Sequence, residues 1–361
     1  MTERVFNFAP GPAMLPEPVL REAQRDLMAL PGYGMSILEV SHRGKAFGEV
    51  QAAAEANLRK LLGVPANYHV LFMQGGSRLQ FSMVPMNLLG GAPADYILTG
   101  SWGKYALAEA KREGQTHVAY DCAASNYDRL PAAGDVKLTP DAAYVHFTSN
   151  ETIQGVQFPA DPDFGAAPLV CDASSDFMCR PIDVARYGLI YACAQKNAGP
   201  AGVTVLILRD DLVARSPEKL PGMLNYANFV KEKSLYNTPP VFGIYIVKLV
   251  TDWLLGEIGG LAKMQQLNRD KAKLLYDAID RSEGFYTGHA QPAARSLMNV
   301  TFRLQSDEQQ EKFIAGAKQR RLVELKGHRS VGGIRASIYN AMPRAGVEAL
   351  AEFMDEFRRN G

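Results

Sequence analysis

Three short polar segments each follow directly after an apolar run of the chain. Gln74-Gly75-Gly76-Ser77-Arg78 follows the run HVLFM and precedes a helical pattern, and Asp172 ends the run PLVCD. Gln195-Lys196-Asn197 follows the run LIYACA. Open parallel sheets bind ligands beyond the carboxyl ends of their strands. We therefore expect these three segments to lie at one edge of a sheet and to hold one ligand.

The chemistry of the three segments is complementary. Glycines let the backbone approach an anion, and the N-terminus of a helix attracts it. A carboxylate such as Asp172 can keep a pyridinium nitrogen protonated. A desolvated lysine such as Lys196 can form a Schiff base with an aldehyde. Together these are the groups that pyridoxal phosphate needs, and Asp172 and Lys196 are 24 residues apart, the length of one strand–connection–strand unit.

Each segment also has an ordinary explanation when it is taken alone. The glycine segment could be a tight strand-to-helix turn, Asp172 could be a helix N-cap, and Lys196 could be a solvated surface lysine. The glycine segment does not match GxGxxG, and the chain contains no GxxxxGK[ST]. Dinucleotide-binding and P-loop sites are therefore not favoured.

The elements that must position these groups are predicted from seven apolar runs. The runs cover residues 69–73, 95–99, 117–120, 143–147, 168–172, 189–194 and 203–208. They are short and nearly continuous rather than alternating, which is typical of strands covered on both faces in a parallel sheet. The stretches SRLQFSMVPMNLL and GKYALAEAKREG between them predict helices. The pattern indicates an α/β fold with a large, mostly parallel sheet flanked by helices.

The alternation of short apolar runs and helical stretches ends after Leu208. A Pro-bounded segment at 225–240 is expected to be a loop, and two long helical patterns follow at 240–258 and 260–281, separated by two glycines. The remaining chain, which ends in an amphipathic helix at 344–359, predicts a smaller α/β unit. We expect a large domain over 16–258 and a small C-terminal domain over 259–361, which the N-terminal segment 1–15 joins.

Composition narrows the class of protein. The chain has 361 residues, with 39 basic and 38 acidic side chains and a net charge of +1, so no overall attraction to nucleic acid or to an anionic membrane is expected. The N-terminus lacks the apolar core of a signal peptide, and the apolar stretch 241–258 contains three charges. The four cysteines form no CxxC pair and the histidines no HxxH or HExxH spacing, so we expect the buried, reduced thiols of a cytoplasmic protein and no metal site.

Six segments resemble the phosphoserine aminotransferase family, in class V of the fold-type-I pyridoxal-phosphate enzymes. They are NFAPGPAMLP, EVSHRGK, SNETIQG, ACAQKNAGPAG, YNTPP and KGHRSVGGIRASIYNAMP, and they run from residue 7 towards the C-terminus. The resemblance implies a seven-stranded, mostly parallel sheet and a ping-pong reaction. In that reaction glutamate becomes 2-oxoglutarate and 3-phosphooxypyruvate becomes phosphoserine in serine synthesis. In bacteria it also implies a role in vitamin B6 synthesis through a phosphorylated hydroxythreonine.

The resemblance further implies roles for single residues. Lys196 would hold the cofactor and then move the proton, and Asp172 would pair with the ring nitrogen. Trp102 would stack on the ring and Thr152 would form a hydrogen bond near it, although a core tryptophan and a turn-capping threonine are ordinary alternatives. The phosphate of the cofactor would be bound by Ser77, Arg78 and Gln195, and by Asn237 and Thr238 of the neighbouring subunit of a homodimer. Asn237 and Thr238 could otherwise simply shape a loop.

Five cationic side chains in segments that contain glycine are candidates for binding the substrate: His42, Arg43, His328, Arg329 and Arg335. A solvated basic loop is the alternative. A substrate with an α-carboxylate and a phosphate needs two separate anion sites, for which the planar fork of arginine is well suited. By resemblance, Arg335 would bind the α-carboxylate, and the other four would bind the phosphate or the side-chain carboxylate of glutamate. Ala9-Pro10 stands where some relatives carry serines, so no side-chain contact is expected there.

Other activities stay open at this point. An alanine–glyoxylate-type aminotransferase has no need of the cationic Gly327-His328-Arg329 segment. A cysteine desulfurase needs a mobile reactive cysteine, and no cysteine of this chain lies in an obvious glycine-rich loop. A non-catalytic pyridoxal-phosphate carrier would not need Asp172, Lys196 and the substrate cations together, and an amino-transfer assay would identify it.

Overall fold

The computed structural model describes residues 4–132 and 134–360 of the chain. The strands are β1 (Phe6–Asn7), β2 (Tyr68–Gln74), β3 (Ala94–Leu98), β4 (Thr116–Asp121), β5 (Val145–Thr148), β6 (Asn150–Glu151), β7 (Val156–Gln157), β8 (Leu169–Asp172), β9 (Tyr187–Cys193), β10 (Val203–Arg209), β11 (Thr287–Gly288), β12 (Asn299–Arg303), β13 (Leu322–Val323) and β14 (Ile334–Ser337). The helices are α1 (Glu17–Asp26), α2 (Lys45–Leu62), α3 (Ser77–Leu88), α4 (Ser101–Glu113), α5 (Asp210–Val213), α6 (Tyr226–Lys231), α7 (Val241–Trp253), α8 (Leu261–Asp280), α9 (Asp307–Gln319) and α10 (Arg344–Asn360).

The seven apolar runs form one seven-stranded sheet, as predicted from the sequence. Its strand order is β2-β10-β9-β8-β5-β3-β4. The pairs from β9 through β8, β5 and β3 to β4 are parallel, whereas β10 is antiparallel to both of its neighbours. The predicted α/β class with a mostly parallel sheet is therefore confirmed.

Both faces of the central strands of this sheet are buried, which explains why these strands read as continuous apolar runs, whereas the edge strand β4 is largely exposed. On β9, Ile190 and Ala192 join the hydrophobic cluster formed with α2 and α7. The alternate residues Leu189 and Tyr191 join the cluster formed with α3, α4 and α6. Every residue of β9 is buried. The strand ends are consequently the places where the sheet can meet a ligand.

The segment after the sheet differs from the sequence prediction in one respect. Residues 225–240 were expected to form a loop, but they contain the short helix α6. The Asn225 side chain caps this helix by accepting a hydrogen bond from the Ala227 N–H, a local contact that outweighs the low helix preference of the segment. The break predicted between the two long helices is confirmed. Gly259 and Gly260 have φ of +82° and +101°, backbone conformations that favour glycine.

The C-terminal part of the chain contains a third hydrophobic cluster around the antiparallel sheet β11-β12-β14. Strand β1 pairs in parallel with β13, and Phe8 is fully buried in that same cluster. The N-terminal strand thus packs with the C-terminal unit. The domain boundaries 16–258 and 259–361 stay predictions, and residues 1–3 and 361 lie outside the described part of the chain.

The four cysteines are free and buried, as expected from the sequence. Within residues 4–132 and 134–360, no helix combines the length and the apolar character needed to cross a membrane.

A buried ammonium group ties helix α8 to the turn that follows β14. Lys271 is 3% exposed, and its Nζ lies 3.1, 2.7, 3.5 and 3.1 Å from the carbonyl oxygens of Ile338, Tyr339, Asn340 and Met342. Its three N–H donors satisfy carbonyl groups that have left the sheet. The contact fixes the chain immediately beyond β14.

We predict that Lys271→Met lowers the free energy of unfolding by about 1–3 kcal/mol, because the buried carbonyls lose their donor. Lys273→Met is the matched control on the same helix. It removes an exposed ion pair with Asp277 and should cost less than about 0.5 kcal/mol. Urea unfolding followed by circular dichroism measures both variants. Equal midpoints for Lys271→Met and the wild type would contradict the assigned role.

Candidate active site

A cavity of about 510 Å³ lies beyond the carboxyl ends of β5, β8 and β9, and is called the main cavity below. Thr148 ends β5, Asp172 ends β8, and Lys196 lies three residues beyond β9. Helices α3 and α4 begin at the same place. Of the residues singled out from the sequence, those that line the main cavity are Ser77, Arg78, Trp102, Thr152, Asp172, Gln195, Lys196, His328, Arg329 and Arg335.

The start of α3 presents backbone N–H groups to the main cavity. Gly75 has a φ of +92°, which turns the chain from β2 into the helix, and no side chain caps the helix at Gly76. The first N–H groups of a helix have no acceptor within the helix. They and the helix dipole form an anion-binding site at the first turn, next to Arg78.

The hydroxyl of Ser77 is used inside the protein. Its Oγ accepts a hydrogen bond from the Cys193 N–H at 3.0 Å and contacts Ser174 Oγ at 2.6 Å. Because Ser174 donates its own proton to Asp172, Ser77 is the donor in the contact with Ser174. Ser77 can therefore offer an anion its backbone N–H, but its hydroxyl is already engaged in orienting Ser174.

Asp172 is held in one orientation at the floor of the main cavity. It is 3% exposed, and its Oδ1 accepts hydrogen bonds from the backbone N–H and the hydroxyl of Ser174. Burial raises the pKa of Asp172, and the bonds from Ser174 and the charge of Lys196 oppose this rise. No hydrogen bond reaches Oδ2 from the described residues. A cationic group in the main cavity could take that position and would favour the ionised carboxylate.

The amine of Lys196 lies between a hydroxyl and an aromatic face. Its Nζ donates a hydrogen bond to Thr152 Oγ1 at 2.7 Å and lies 5.5 Å from the centroid of the Trp102 ring. Thr152 belongs to the turn between β6 and β7, and Trp102 to the first turn of α4. A ligand that lies against the indole face of Trp102 would therefore be within reach of the Lys196 amine.

Two aromatic residues that the sequence reasoning missed support Trp102. Phe81 and Tyr105 pack against the indole with ring centroids 6.4 and 5.7 Å away. The Arg78 guanidinium lies 4.5 Å from the centroid of the Tyr105 ring, a cation–π contact. Tyr105 follows Trp102 by three positions, so its place on the same helix face could have been inferred from helical spacing.

Two arginines and a histidine form one wall of the main cavity. Arg335, on β14, is 7% exposed, its Nε has no partner within the described chain, and burial lowers its pKa. His328 and Arg329 lie in the loop before β14. Burial lowers the pKa of His328, and the charges of Arg335 and Arg329 lower it further. This wall is suited to binding anions of the substrate.

Four of the predicted site residues lie outside the main cavity of the single chain. His42 and Thr238 line a separate opening, called the side cleft, together with Leu38 and Pro239. Arg43 is exposed next to His42. Asn237 donates a hydrogen bond to the Gln74 side chain at 2.8 Å, at the end of β2. The chain by itself therefore does not bring these four residues to Lys196.

Unpartnered polar atoms in the main cavity allow a test of whether pyridoxal phosphate fits. Buried polar atoms normally have hydrogen-bond partners. Within the described residues, Trp102 Nε1, Gln195 Oε1 and Arg335 Nε are buried without one. With the open start of α3, the free Asp172 Oδ2 and the Lys196 amine, the cavity offers partners for a phosphate, a ring nitrogen and an aldehyde. The residues present fit this cofactor.

Comparisons with known proteins agree along the whole chain. The family model described as aminotransferase class-V matches residues 5–350. A phosphoserine aminotransferase from Rhodopirellula baltica is 57% identical over 358 residues, which cover 98% of this chain and 95% of that protein. The solved structure of a phosphoserine aminotransferase from Bacillus circulans subsp. alkalophilus has a TM-score of 0.97 and 54% identity, with 99% of both chains covered. The pyridoxal-phosphate-bound phosphoserine aminotransferase from Trichomonas vaginalis has a TM-score of 0.92 and 42% identity, covering 98% of this chain and 100% of that chain.

The geometry at the start of α3 predicts that Arg78 and Ser77 differ in their effect on anion binding. Arg78→Ala should raise the Kd of the cofactor-free protein for inorganic phosphate about tenfold, because one charge-assisted contact is lost. Ser77→Ala keeps the backbone N–H groups and should change that Kd by less than about threefold, although it removes the acceptor of the Cys193 N–H. Calorimetric titration measures both. Equal losses would mean that the Ser77 hydroxyl itself binds the anion.

Proposed function

Because the chain belongs to the class-V aminotransferase family, we infer that it is a pyridoxal-phosphate-dependent phosphoserine aminotransferase. In one half-reaction glutamate gives up its amino group and leaves as 2-oxoglutarate. In the other, 3-phosphooxypyruvate receives that amino group and leaves as phosphoserine. The observation that carries this proposal is that Lys196, Asp172, the open start of α3 and the cations around Arg335 meet in one cavity.

The cofactor site follows from the partners that each residue leaves free. Pyridoxal phosphate supplies an aldehyde that takes up the amino group and a ring that withdraws electrons from the substrate carbon. The first turn of α3 and Gln195 bind its phosphate. Asp172 keeps its ring nitrogen protonated through Oδ2, while Ser174 holds the other carboxylate oxygen in place. Trp102 supports the ring from one side.

Lys196 moves the proton of the substrate. Its amine is the base in the main cavity that can take the proton from the α-carbon of the amino acid and return it to the acceptor carbon. Thr152 Oγ1, 2.7 Å from Nζ, orients this amine. The indole of Trp102 and the buried sheet exclude water from one side of the space in which the Lys196 amine transfers the proton.

Substrate choice rests on two groups of cations. Arg335 is buried and has its Nε free, so it binds the α-carboxylate that every amino acid substrate carries. His328 and Arg329 lie nearer the opening and bind the phosphate of phosphoserine or the side-chain carboxylate of glutamate. Two separate anion sites select a substrate with two anionic ends.

Other activities of class V are less consistent with this chain. A cysteine desulfurase needs a mobile, exposed cysteine, whereas all four cysteines are buried. An alanine–glyoxylate-type aminotransferase would leave His328 and Arg329 without an anionic partner. A non-catalytic carrier would not need the Thr152 contact that orients the Lys196 amine.

The protein acts as a homodimer in this proposal. The side cleft holds His42 and Thr238, away from Lys196. Large apolar side chains near it are exposed, with 62% of Leu38 and 43% of Tyr236 accessible, and Met28 in the preceding segment reaches 85%. A second copy that covers this surface would bury these side chains and bring His42, Arg43, Asn237 and Thr238 to the main cavity of its neighbour. In that position Asn237 and Thr238 would bind the cofactor phosphate.

The cellular role that we propose is serine synthesis in the cytoplasm, with a second use in vitamin B6 synthesis through a phosphorylated hydroxythreonine. Free, buried cysteines are compatible with a reducing compartment. Phosphoserine and the phosphorylated hydroxythreonine both have an α-amino acid end and a phosphate end. One pair of anion sites can therefore serve both pathways.

The assigned cations predict a difference in substrate preference. In a transamination assay with 2-oxoglutarate, Arg329→Ala should lower kcat/KM for phosphoserine about 10–100-fold, since a charge-assisted hydrogen bond contributes about 1.5–3 kcal/mol. The low kcat/KM for alanine should barely change, because in a ping-pong reaction this constant does not include the half-reaction of 2-oxoglutarate. Arg335→Ala should lower kcat/KM for phosphoserine and for alanine by a similar factor, because both substrates carry the α-carboxylate. If Arg329→Ala lowered kcat/KM equally for phosphoserine and alanine, a general aminotransferase would be the better assignment.

Shared active sites predict complementation between inactive subunits. Lys196→Ala and an Asn237→Ala variant that is itself nearly inactive should regain part of the activity when they are unfolded together, refolded and assayed. A mixed dimer has one site with neither substitution, so about a quarter of the wild-type activity is expected if half of the dimers are mixed. Refolding each variant alone is the control. An active protein that sediments as a monomer would contradict the proposed dimer.

A further inference from the structure

A fully buried carboxylate lies under the main cavity and has no part in the proposed reaction. Glu151, on β6, is 0% exposed. Its Oε2 accepts a hydrogen bond from the Trp102 N–H and its Oε1 one from the Gly103 N–H, both at 2.9 Å. These are N–H groups of the first turn of α4, the helix that carries Trp102. The two oxygens of one carboxylate thus cap this helix from a distant part of the chain.

The chain is shaped around this contact. No side chain of the preceding segment caps α4. A Cβ atom at Gly100 would overlap the carboxylate of Glu151, so glycine leaves the space that the acid occupies. Gln154 completes the cap by accepting from the Ser101 N–H at 3.3 Å and donating to the Ser101 hydroxyl at 2.8 Å.

Strands β6 and β7 form a hairpin that carries Glu151. This hairpin also contacts Lys196 and the C-terminal part of the chain. Thr152, next to Glu151, accepts the hydrogen bond from Lys196 Nζ. Gly155 accepts a hydrogen bond from the Ser296 N–H at 3.0 Å, and a Cβ atom at Gly155 would lie 2.5 Å from the Asn299 carbonyl oxygen. The hairpin is therefore fixed on both sides, and Glu151 transmits that fixed position to α4.

Burial and hydrogen bonding act in opposite directions on the charge of Glu151. Burial raises the pKa of Glu151 to about 7, and the two N–H bonds oppose this rise. The positive end of the α4 dipole also favours the anion. A glutamine of the same shape offers one acceptor oxygen and would turn its NH₂ group against the second N–H. Two neighbouring N–H groups thus require a carboxylate.

We propose that Glu151 is a positioning residue, whose carboxylate fixes the first turn of α4 and thereby the indole of Trp102 beside Lys196. The proposal rests on the proposed function for its meaning, since Trp102 is the support for the cofactor ring. It has a second consequence. Of the two helix starts at the main cavity, that of α4 is filled by an anion of the protein, which leaves the start of α3 for the anion of the ligand.

The first experiment reads out Trp102 in protein freed of cofactor. The chain has two tryptophans, so Trp253→Phe leaves Trp102 as the single tryptophan, which is excited selectively at the red edge of the absorption band. In this background Glu151→Gln should shift the emission of Trp102 and make it more accessible to acrylamide. Gln154→Ala removes the contacts to Ser101 but leaves the N–H groups of Trp102 and Gly103 bonded to Glu151, so it should change both readings less than Glu151→Gln does. Unchanged emission and quenching in folded Glu151→Gln would overturn the proposal.

The second experiment measures the affinity for pyridoxal phosphate. Glu151→Gln should raise the Kd by up to about 10-fold, because the displaced Trp102 indole loses its aromatic contact with the cofactor ring. In a Trp102→Ala background, where no indole is left to position, the same substitution should change the Kd by less than about threefold. An equal effect in both backgrounds would overturn the proposal. If the Gln variant does not fold, Glu151→Asp is judged by the same criteria, because it keeps the charge but retracts it by one methylene.

The two experiments distinguish this proposal from the proposed function. A wild-type protein that neither binds pyridoxal phosphate nor transfers the amino group of phosphoserine would contradict the function. The quenching of Trp102 in cofactor-free protein would still report whether Glu151 holds the indole.

Discussion

The parallel direction of β5, β8 and β9 places the chemistry of this protein. A chain that runs through neighbouring parallel strands leaves the sheet at the same edge each time, so Thr148, Asp172 and Lys196 emerge side by side. Both faces of these strands are buried under helices, which closes every other approach to these side chains. A ligand that needs both the Asp172 carboxylate and the Lys196 amine can therefore reach the two groups at this edge.

Two helices begin at that edge, and the chain treats them differently. The start of α3 has glycines, no side-chain cap and a nearby arginine. The start of α4 is filled by Glu151, whose removal would leave the N–H groups of Trp102 and Gly103 without their acceptor. Because an uncapped helix start attracts an anion, this asymmetry decides which end of a ligand lies near which strand. The Trp102 indole and the Lys196 amine then lie on the side where the reactive carbon belongs.

The C-terminal part of the chain carries Arg335, which lines the main cavity, and buried hydrogen bonds hold this part against the sheet. Asn340 is central to this contact. Its N–H donates to Asn197 Oδ1 at 2.9 Å, directly beside Lys196, and its Oδ1 accepts from Asn268 of α8 at 2.8 Å. Lys271 holds the same turn in place because its Nζ donates hydrogen bonds to backbone carbonyl groups of the turn, such as that of Tyr339. This buried polar network favours the arrangement in which Arg335 and Lys196 line the same cavity, because a shifted arrangement would leave its polar groups unpaired.

The sequence by itself determined the sheet, because strands buried on both faces must be continuous apolar runs, and it marked Asp172 and Lys196 because they end such runs. It also predicted Trp102 and the cationic segments through their resemblance to a family. It did not reveal Glu151, which is distant along the chain from the helix that it caps, nor the internal use of the Ser77 hydroxyl. It likewise did not tell that His42 and Thr238 lie in a cleft apart from Arg335. Those facts depend on which distant segments pack together, and local periodicity carries no information about long-range contacts that form only when the whole chain is folded.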